Sequence, residues 1–303
     1  MERQRQGVAE RIRVGVPIGQ RLQRLSDGTR RFFRQHPLGA LGLTVCLITV
    51  FMGVFAPVVG RYDPNFANPF MTLQAPSATY WFGTDNLGRD LWSRIIHGTR
   101  ISLMVAFGAI AVGTTAGYLL GIVSGFFGGR TDDIIQRVVD SLLAFPSILL
   151  ALVMVAVLGA GIDKVIFAIA VGSAPTAARV SRGVVLSLKE NVYVDAARVI
   201  GASDLRIMLR HILPNSLAPY LILASLGLGG AILAEASLSY LGLGVPPPHP
   251  SWGRMLSGSS ANFAVIAPWL MIFPGVAIMT LVLAFNLFGD ALRDVWDPRL
   301  RGR

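Results

Sequence analysis

This sequence contains one cysteine, few charged residues and no cluster of histidines. The single cysteine, Cys46, excludes a disulfide scaffold, and the four histidines are scattered without the spacing of a metal site. Charged residues make up only 15% of the 303 positions, against roughly 25% in an ordinary soluble domain. So few charges cannot cover a globular surface, and a hydrophobic fraction of 53% excludes intrinsic disorder. The composition indicates a polytopic helical membrane protein.

Long apolar runs account for the hydrophobic excess. A helix needs about 20 mostly apolar residues to cross the hydrocarbon core of a bilayer, and none of these runs alternates as barrel strands would. The sequence therefore predicts an all-α integral membrane protein with six transmembrane helices, over residues 38–59, 101–123, 138–158, 165–185, 217–238 and 266–288. We expect a basic cytoplasmic tail, a transmembrane domain and a second cytoplasmic tail over residues 1–36, 37–289 and 290–303.

Positive charge is distributed unevenly between the two sides of the predicted spans. Of the 27 Lys and Arg residues, 21 lie in the two tails and in the second and fourth connections. Because Lys and Arg are enriched in cytoplasmic loops, both termini are expected in the cytoplasm. Topology and attraction to anionic lipid thus explain the net charge of +10. Nucleic-acid binding is not expected, since no nucleic-acid fold motif is present.

The longest connection on the predicted outer side, residues 60–100, contains a turn followed by a short helix. Asp85 begins a group of turn-forming residues, and Asp90 can cap a helix over residues 91–97. The apolar residues of this helix share one face, so we expect it to lie on the membrane surface with Arg94 directed outward. The loop is either a docking surface for an external partner or a lid over the helix bundle, and the sequence favours neither.

The fourth connection, about residues 187–216, predicts a short amphipathic helix over residues 191–200. Its apolar stripe has the helical spacing i, i+4, i+7 and i+8 and consists of Val192, Ala196, Val199 and Ile200. Ala196 and Ala197 leave one side of the helix nearly flat. A flat surface of small residues lets another backbone approach closely.

A second short helix is predicted to follow the first one. Gly201 suits a left-handed stop at the end of the first helix, and Ser203 can cap the second. Pro214 is expected to end the second helix before the fifth span begins. The connection is therefore expected to be a hairpin of two helices joined at a glycine.

Residues 193–203, Tyr-Val-Asp-Ala-Ala-Arg-Val-Ile-Gly-Ala-Ser, resemble the "EAA" coupling loop of ABC-importer permeases. That family usually has Glu-Ala-Ala, with a glycine four positions after the second alanine. Asp195 stands where the family has Glu, and the spacing from Ala197 to Gly201 is kept. In the family this segment is a coupling helix that sits in a groove of a cytoplasmic ATPase. The resemblance implies that the coupling residues here are Tyr193, Asp195, Ala196, Ala197, Gly201 and Ser203.

Three further motifs are similar to the peptide/nickel subfamily of these permeases. They are residues 82–90 of the outer loop, residues 237–253 with their proline run, and residues 286–298 near the C-terminus. Within the subfamily, the chain resembles the second of the two paired permeases of dipeptide, oligopeptide and glutathione systems. The resemblance implies that a binding protein docks at outer-loop residues Gly83, Thr84, Asp85, Gly88, Arg89 and Asp90.

The resemblance also implies an ABC type I importer permease fold and a multi-pass position in a bacterial inner membrane. The chain has no Walker A sequence, so ATP and magnesium would be bound by partner ATPases, and this chain would hold no cofactor or metal. The implied partners are a sister permease, one or two cytoplasmic ATPases, an extracytoplasmic substrate-binding protein and membrane lipid. Dipeptides, oligopeptides, glutathione and nickel chelates all remain open as cargo.

Two carboxylates lie inside predicted spans and are candidate residues of a path or gate. Asp140 follows Arg137 by three positions, so the two share a helix face, and a structural ion pair is the favoured interpretation. Glu235 lies near the outer end of the fifth span. It either meets a peptide amino terminus or a proton, or pairs with Arg100 or Arg89, and both interpretations stay open.

Glycine and proline mark further positions within the spans. Gly121, Gly125 and Gly128 permit close approach of a neighbouring helix. Prolines that can kink a helix interrupt three spans, at Pro146, Pro175 and Pro274.

Two other functions compete with an importer permease. A secondary transporter could use Asp140 and Glu235 as an ion or proton relay, but it predicts repeated halves, and no clear internal repeat is present. An intramembrane enzyme could use Ser124 as a nucleophile, but no histidine lies within a span to act as its base. The sequence therefore favours a permease subunit that is not an enzyme.

Overall fold

The computed structural model describes residues 32–257 and 262–296. Within these ranges the regular structure is helical, with one isolated β-bridge between Thr84 and Asp90, so the all-α prediction is confirmed. Most of the predicted N-terminal tail lies outside the described residues. The predicted C-terminal tail begins inside the last helix, which runs on to Trp296.

The helices follow the apolar runs of the sequence. In chain order they are α1 (Pro37–Val54), α2 (Ala56–Val59), α3 (Leu91–Phe127), α4 (Gly129–Leu143), α5 (Ser147–Leu158), α6 (Ile162–Lys189), α7 (Val192–Val199), α8 (Asp204–Ile207), α9 (Leu213–Tyr240), α10 (Trp252–Leu256) and α11 (Trp269–Trp296). A 3₁₀ turn at Pro69–Met71 lies in the outer loop, and a π-helical turn at Met208–Ile212 joins α8 to α9.

Six spans were predicted, and the described helices support four or five of them by length and composition. Four helices of the described residues are long and apolar enough to cross a membrane, namely α1, α3, the continuous Asp204–Tyr240 and α11. The number is five if the bent pair of α4 and α5 is counted as one broken span. The fourth predicted span, α6, is not among them, because Arg179 and Arg182 lower its mean hydropathy.

Pro146 divides the third predicted span into two helices. Proline has no backbone N–H and its ring clashes with the preceding turn, so α4 cannot continue through this position. The axes of α4 and α5 are bent by 87° at the break. Pro175 and Pro274, by contrast, lie inside uninterrupted helices.

Helix α3 corrects the prediction of a short surface helix over residues 91–97. No proline interrupts its 37 residues, so one helix of about 55 Å extends well beyond the hydrocarbon core. Asp90 caps it as predicted, because its carboxylate accepts a hydrogen bond from the backbone N–H of Ser93 at 2.8 Å. Arg94 does not point outward, since only 6% of it is exposed.

Three glycines bring α3 into contact with the backbone of α6. A Cβ atom added at any of them would lie 2.0–2.3 Å from a carbonyl oxygen of α6: Ala170 for Gly113, Ala174 for Gly117 and Ala178 for Gly121. The predicted close approach at Gly121 is therefore confirmed. Gly128 does not contact a neighbouring helix, because a Cβ added there would have no atom within 4 Å. It ends α3 instead, with a φ of +66° that favours glycine.

Candidate functional site

The 187–216 hairpin contains the predicted helix and its predicted glycine stop. Helix α7 spans Val192–Val199, and Gly201 follows with a φ of +79°. The backbone N–H of Ala202 donates to the carbonyl of Ala197 at 3.0 Å, which is the closing bond of a glycine-terminated helix. A residue other than glycine at position 201 would be strained, because this backbone conformation crowds a Cβ.

Two residues of α7 attach it to the helix bundle. Val194 and Ala197 are buried in an apolar cluster whose other members are Tyr118, Ile122, Phe126, Val185, Ile207 and Ile212. Ala197 therefore packs inward, whereas Tyr193, Asp195 and Ala196 are exposed. The exposed ion pair between Asp195 and Arg198, at 3.1 Å, contributes little to stability.

The predicted apolar stripe of α7 faces away from the bundle. The exposed fractions of Val192, Val199 and Ile200 are 84%, 86% and 83%, and Ala196 lies on the same side. We call these four residues the coupling face. Leu205 and Leu209 of the second arm are also exposed. A group of exposed apolar side chains of this kind marks contact with a partner protein or with a membrane.

The second arm of the hairpin differs from the prediction. Ser203 occupies the N-cap position of α8, but its side chain makes no capping hydrogen bond. Pro214 does not end this arm, because the π-helical turn lets the N–H of Leu213 bond to the carbonyl of Met208 just before the proline. The arm and the fifth predicted span therefore form one helix, Asp204–Tyr240.

Ion pairs join α4 to α6 at the predicted cytoplasmic end. Asp140 pairs with Arg179 and not with Arg137, which corrects the predicted partner. Both members of that pair are more than half exposed, so it contributes little. Asp132 pairs with Arg182 at 2.5 Å in a less exposed position. Asp140 thus forms a structural ion pair, as the favoured interpretation expected, but with a residue of α6.

The outer loop is held together by the residues of its signature. The carboxylate of Asp85 accepts hydrogen bonds from the backbone N–H groups of Leu87 and Arg89 at 2.8 and 3.0 Å, and from Nε of Arg89 at 2.7 Å. The hydroxyl of Thr84 accepts from the N–H of Gln74 at 2.8 Å. A Cβ added at Gly88 would lie 1.9 Å from the carbonyl oxygen of Asn68. These residues fix the shape of the loop.

The outer loop also covers one end of the bundle. The ring of Phe82 stacks on that of Phe273 at 3.9 Å, and the indole of Trp269 donates to the carbonyl of Thr84 at 3.2 Å. Of the six predicted docking residues, five are buried and Arg89 is partly exposed. Exposed side chains that the prediction did not include are Phe70, Trp81 and Leu87.

Glu235 is completely buried between α3 and α9. Its carboxyl accepts hydrogen bonds from the hydroxyls of Ser102 at 3.0 Å and Ser239 at 2.7 Å. The predicted pairing with Arg100 or Arg89 is wrong, because the register of α3 places Ser102 against α9 while Arg100 is exposed. Glu235 is therefore a hydrogen-bonded residue of the helix interface.

Replacing Glu235 with leucine is expected to destabilise the protein. The hydroxyls of Ser102 and Ser239 would lose their buried acceptor, at about 1–3 kcal/mol for each unsatisfied group. Glutamine keeps an acceptor oxygen and the size of the side chain, so Glu235→Gln should unfold close to the wild-type temperature in detergent and retain transport. Loss of transport by a stably folded Glu235→Gln protein would contradict this structural role and indicate a proton site.

A cavity of about 260 Å³ lies between α3, α5, α6 and α9. Its lining is uncharged and combines hydroxyl groups with small and apolar residues; the hydroxyls belong to Thr114, Ser147, Ser173 and Thr176. Hydroxyls can bind the polar groups of a peptide backbone without selecting its side chains. Neither of the predicted path residues, Asp140 and Glu235, belongs to this lining.

An apolar surface at one end, a folded loop at the other and a cavity between membrane helices define a subunit of a membrane transport system. Comparison with known families agrees. Residues 117–302 match the binding-protein-dependent transport system inner membrane component, and residues 25–76 match the N-terminal TM domain of oligopeptide transport permease C. The chain belongs to this family of inner membrane components.

Curated relatives cover most of the chain. It is 44% identical over 268 residues to the dipeptide transport system permease protein of Alkalihalophilus pseudofirmus, with 88% of each chain covered. It is 45% identical over 273 residues to a putative peptide transport system permease of Brucella abortus, with coverage of 90% and 92%. It is also 45% identical over 273 residues to the glutathione transport system permease of Pectobacterium atrosepticum, with 90% of each chain covered.

A solved structure shows the same fold. A chain of the methionine ABC transporter MetNI, in inward-facing conformations, superposes with a TM-score of 0.55. The match is 19% identical and covers 68% of this chain and 97% of that chain. The superposition shows an ABC importer permease fold. With the family match and the curated relatives, which are named permeases, it identifies the chain as a permease subunit of an ABC importer rather than an enzyme.

Proposed function

We propose that the chain forms half of the path by which a bacterial ABC importer carries di- and oligopeptides across the inner membrane. The relatives named for dipeptide, peptide and glutathione transport support a peptide-like cargo. A sister permease supplies the other half of the path. The cavity bounded by this chain, at about 260 Å³, is below the roughly 300–1,000 Å³ of sites that enclose drug-sized ligands.

The coupling face supports a contact with a cytoplasmic ATPase, and this observation carries the proposal. Its three large side chains are more than 80% exposed, although Val192 and Val199 lie on the short helix α7 and Ile200 is its C-cap. Burial in a groove of a partner would remove this apolar surface from water. Tyr193, Asp195 and Ala196 complete the contact, while Ala197 and Gly201 hold α7 in position. ATP and magnesium are bound by the ATPases, and this chain holds no cofactor.

The continuous helix Asp204–Tyr240 gives a mechanical link from the hairpin to the bundle. Its 37 residues extend for about 55 Å, so a displacement of the hairpin can reach the far end of α9 along one unbroken helix. Closure of two ATPases on bound ATP would press the hairpins together. The permease pair then changes between inward-open and outward-open states by a rigid-body movement.

The proposed orientation places both termini and the hairpin in the cytoplasm. The concentration of Lys and Arg in the tails and in the second and fourth connections supports it. The outer loop then faces the extracytoplasmic binding protein. Its signature residues, among them Asp85 and Arg89, shape the docking surface, and exposed residues such as Phe70 and Leu87 contribute contacts.

The structure gives no support to a secondary transporter. Asp140 forms an exposed ion pair, Glu235 is sealed between two helices, and the lining of the cavity carries no ionisable side chain. A relay of ions or protons needs ionisable groups that face a path.

Competition for uptake tests the cargo. Proteoliposomes that contain the complete importer, with its binding protein outside, should accumulate a labelled dipeptide. Unlabelled di- and tripeptides should compete with it, and nickel chelates should not. If a nickel chelate competes with the dipeptide and other peptides do not, the proposal of a peptide cargo is wrong. If glutathione is the one competitor, the importer is specific for glutathione.

A further inference from the structure

A blind, positively charged cavity of about 270 Å³ lies between the outer loop and the proline-rich 242–257 connection. Its charged and polar lining comes from Asp85, Asn86, Arg89, Arg94, His249, Arg254 and Ser257. We propose that this arginine cavity receives an Asp or Glu side chain of the extracytoplasmic binding protein when that protein docks. The inference rests on the proposed docking of a binding protein at the outer side.

The charges around the cavity do not balance. Among the described residues that line it, Asp85 is the only carboxylate, and it already accepts hydrogen bonds from two backbone N–H groups and from Nε of Arg89. Nε of Arg94 lies 3.5 Å from the same carboxylate. Among the described residues no carboxylate lies within 4.0 Å of Arg254, whose Nη1 is 3.5 Å from the carbonyl oxygen of Val245. Three guanidinium groups therefore face one carboxylate.

Neighbouring carboxylates are committed elsewhere. Asp90 caps α3 through Ser93, and Asp63 accepts the backbone N–H of Asn65 at 2.8 Å. Glu235 is bound by serine hydroxyls. Among the described residues none of these three carboxylates forms an ion pair with Arg94 or Arg254, and Arg94 is held beside the cavity with only 6% exposure.

Such a cleft favours an anionic group, and a carboxylate suits its arginines. Like charges in a partly enclosed cleft focus a positive potential that attracts an anionic group. The planar guanidinium of arginine matches the two oxygens of a carboxylate. Arg254 is the arginine without an acidic partner, so it is the group that an incoming carboxylate would engage first.

The shape of the cavity favours a docked side chain over cargo in transit. Leu91, Met255 and Leu270 line it and are themselves buried, so the cavity is closed toward the bundle. Pro247 and Pro248 form a stiff wall that is already in place before binding. A transported peptide would need an onward route, whereas a side chain of a docked protein would not.

The test measures docking of the cargo-free binding protein. The complete importer in nanodiscs is titrated with fluorescently labelled binding protein, without peptide, at low and at physiological salt. Arg254→Gln should weaken docking by about tenfold or more, because the carboxylate would lose its charged partner. Its docking should also depend less on salt than that of the wild type. Arg254→Lys should have an intermediate affinity.

Arg61→Gln is the matched control. Arg61 is an exposed arginine of the same loop, packed on the ring of Trp81 and outside the cavity lining, so its loss removes the same charge. It should change docking by less than about twofold, as expected for a screened surface charge. Elution volume and unfolding temperature establish that each variant is folded.

Charge reversal identifies the source of the carboxylate. Arg254→Glu should abolish docking, and replacement of one acidic residue of the binding protein with arginine should restore it. Equal losses in Arg254→Gln and Arg61→Gln would overturn the inference while leaving the proposed function intact. Normal docking with a loss only of peptide uptake would also overturn it, and would assign the cavity to the cargo carboxylate. Failure of the wild-type importer to bind the protein would instead refute the docking on which the inference rests.

Discussion

Replacing both Val199 and Ile200 with aspartate is expected to lower substrate-stimulated ATPase activity of the importer by at least about tenfold. Both side chains lie on the coupling face, with exposed fractions of 86% and 83%. Binding to the groove of the ATPase would bury two aspartate carboxylates without partners. The free-energy cost of removing them from water exceeds the few kcal/mol that the contact contributes to binding. Neither side chain packs in the bundle, so the permease itself should fold normally.

Val265→Asp is the matched control for this prediction. Val265 is 96% exposed on the connection predicted to face outward, so its replacement adds an equally accessible charge on the opposite side. This variant should couple normally. ATPase activity measured in parallel with co-purification of the ATPases separates loss of contact from loss of folding. Normal stimulation in Val199→Asp, Ile200→Asp would show that α7 does not bind the ATPase through this face.

Replacing Gly117 with valine is expected to prevent folding or to reduce stability by more than about 3 kcal/mol. The first added carbon would lie 2.0 Å from the carbonyl oxygen of Ala174, so α3 and α6 would have to separate. Overpacking ordinarily costs about 1–3 kcal/mol, and a clash with backbone cannot be relieved by a rotamer change. The measurement is the yield and unfolding temperature of the monodisperse protein in detergent.

Gly183→Val controls for the loss of a helical glycine. An added Cβ at Gly183 of α6 has no atom within 4 Å, whereas the helical setting of the two positions is the same. Valine has a higher helix propensity than glycine by a few tenths of a kcal/mol. Propensity alone therefore predicts that either substitution would slightly stabilise the protein. Similar yields of the two variants would therefore contradict the packing of α3 on α6.

Local patterns in the sequence were sufficient to locate most helices. Long apolar runs predicted α1, α3, α9 and α11. Gly201 follows a short amphipathic helix, and this position predicted the left-handed backbone conformation that ends α7. Periodicity identifies a stripe on a helix but not the direction in which it faces. For this reason the stripe of α7 was predicted, and its exposure was not.

The partners of charged side chains and the positions of helix breaks could not be predicted from the sequence, because both depend on the tertiary structure. Asp140 could be paired from sequence only with its neighbour on the same helix, whereas the observed partner, Arg179, comes from another helix. Arg94 is charged and was expected outside, yet the folded outer loop surrounds it. Pro146 breaks a helix while Pro175 does not, and both have small or apolar neighbours in sequence.

The most direct test of the central claim is the energy source of uptake. Proteoliposomes containing this chain with its sister permease and ATPases should accumulate labelled dipeptide only with ATP and magnesium inside and binding protein outside. A protonophore should leave this accumulation unchanged. Accumulation that needs no ATP and collapses when the proton gradient is removed would contradict an ABC permease and would indicate transport driven by the gradient.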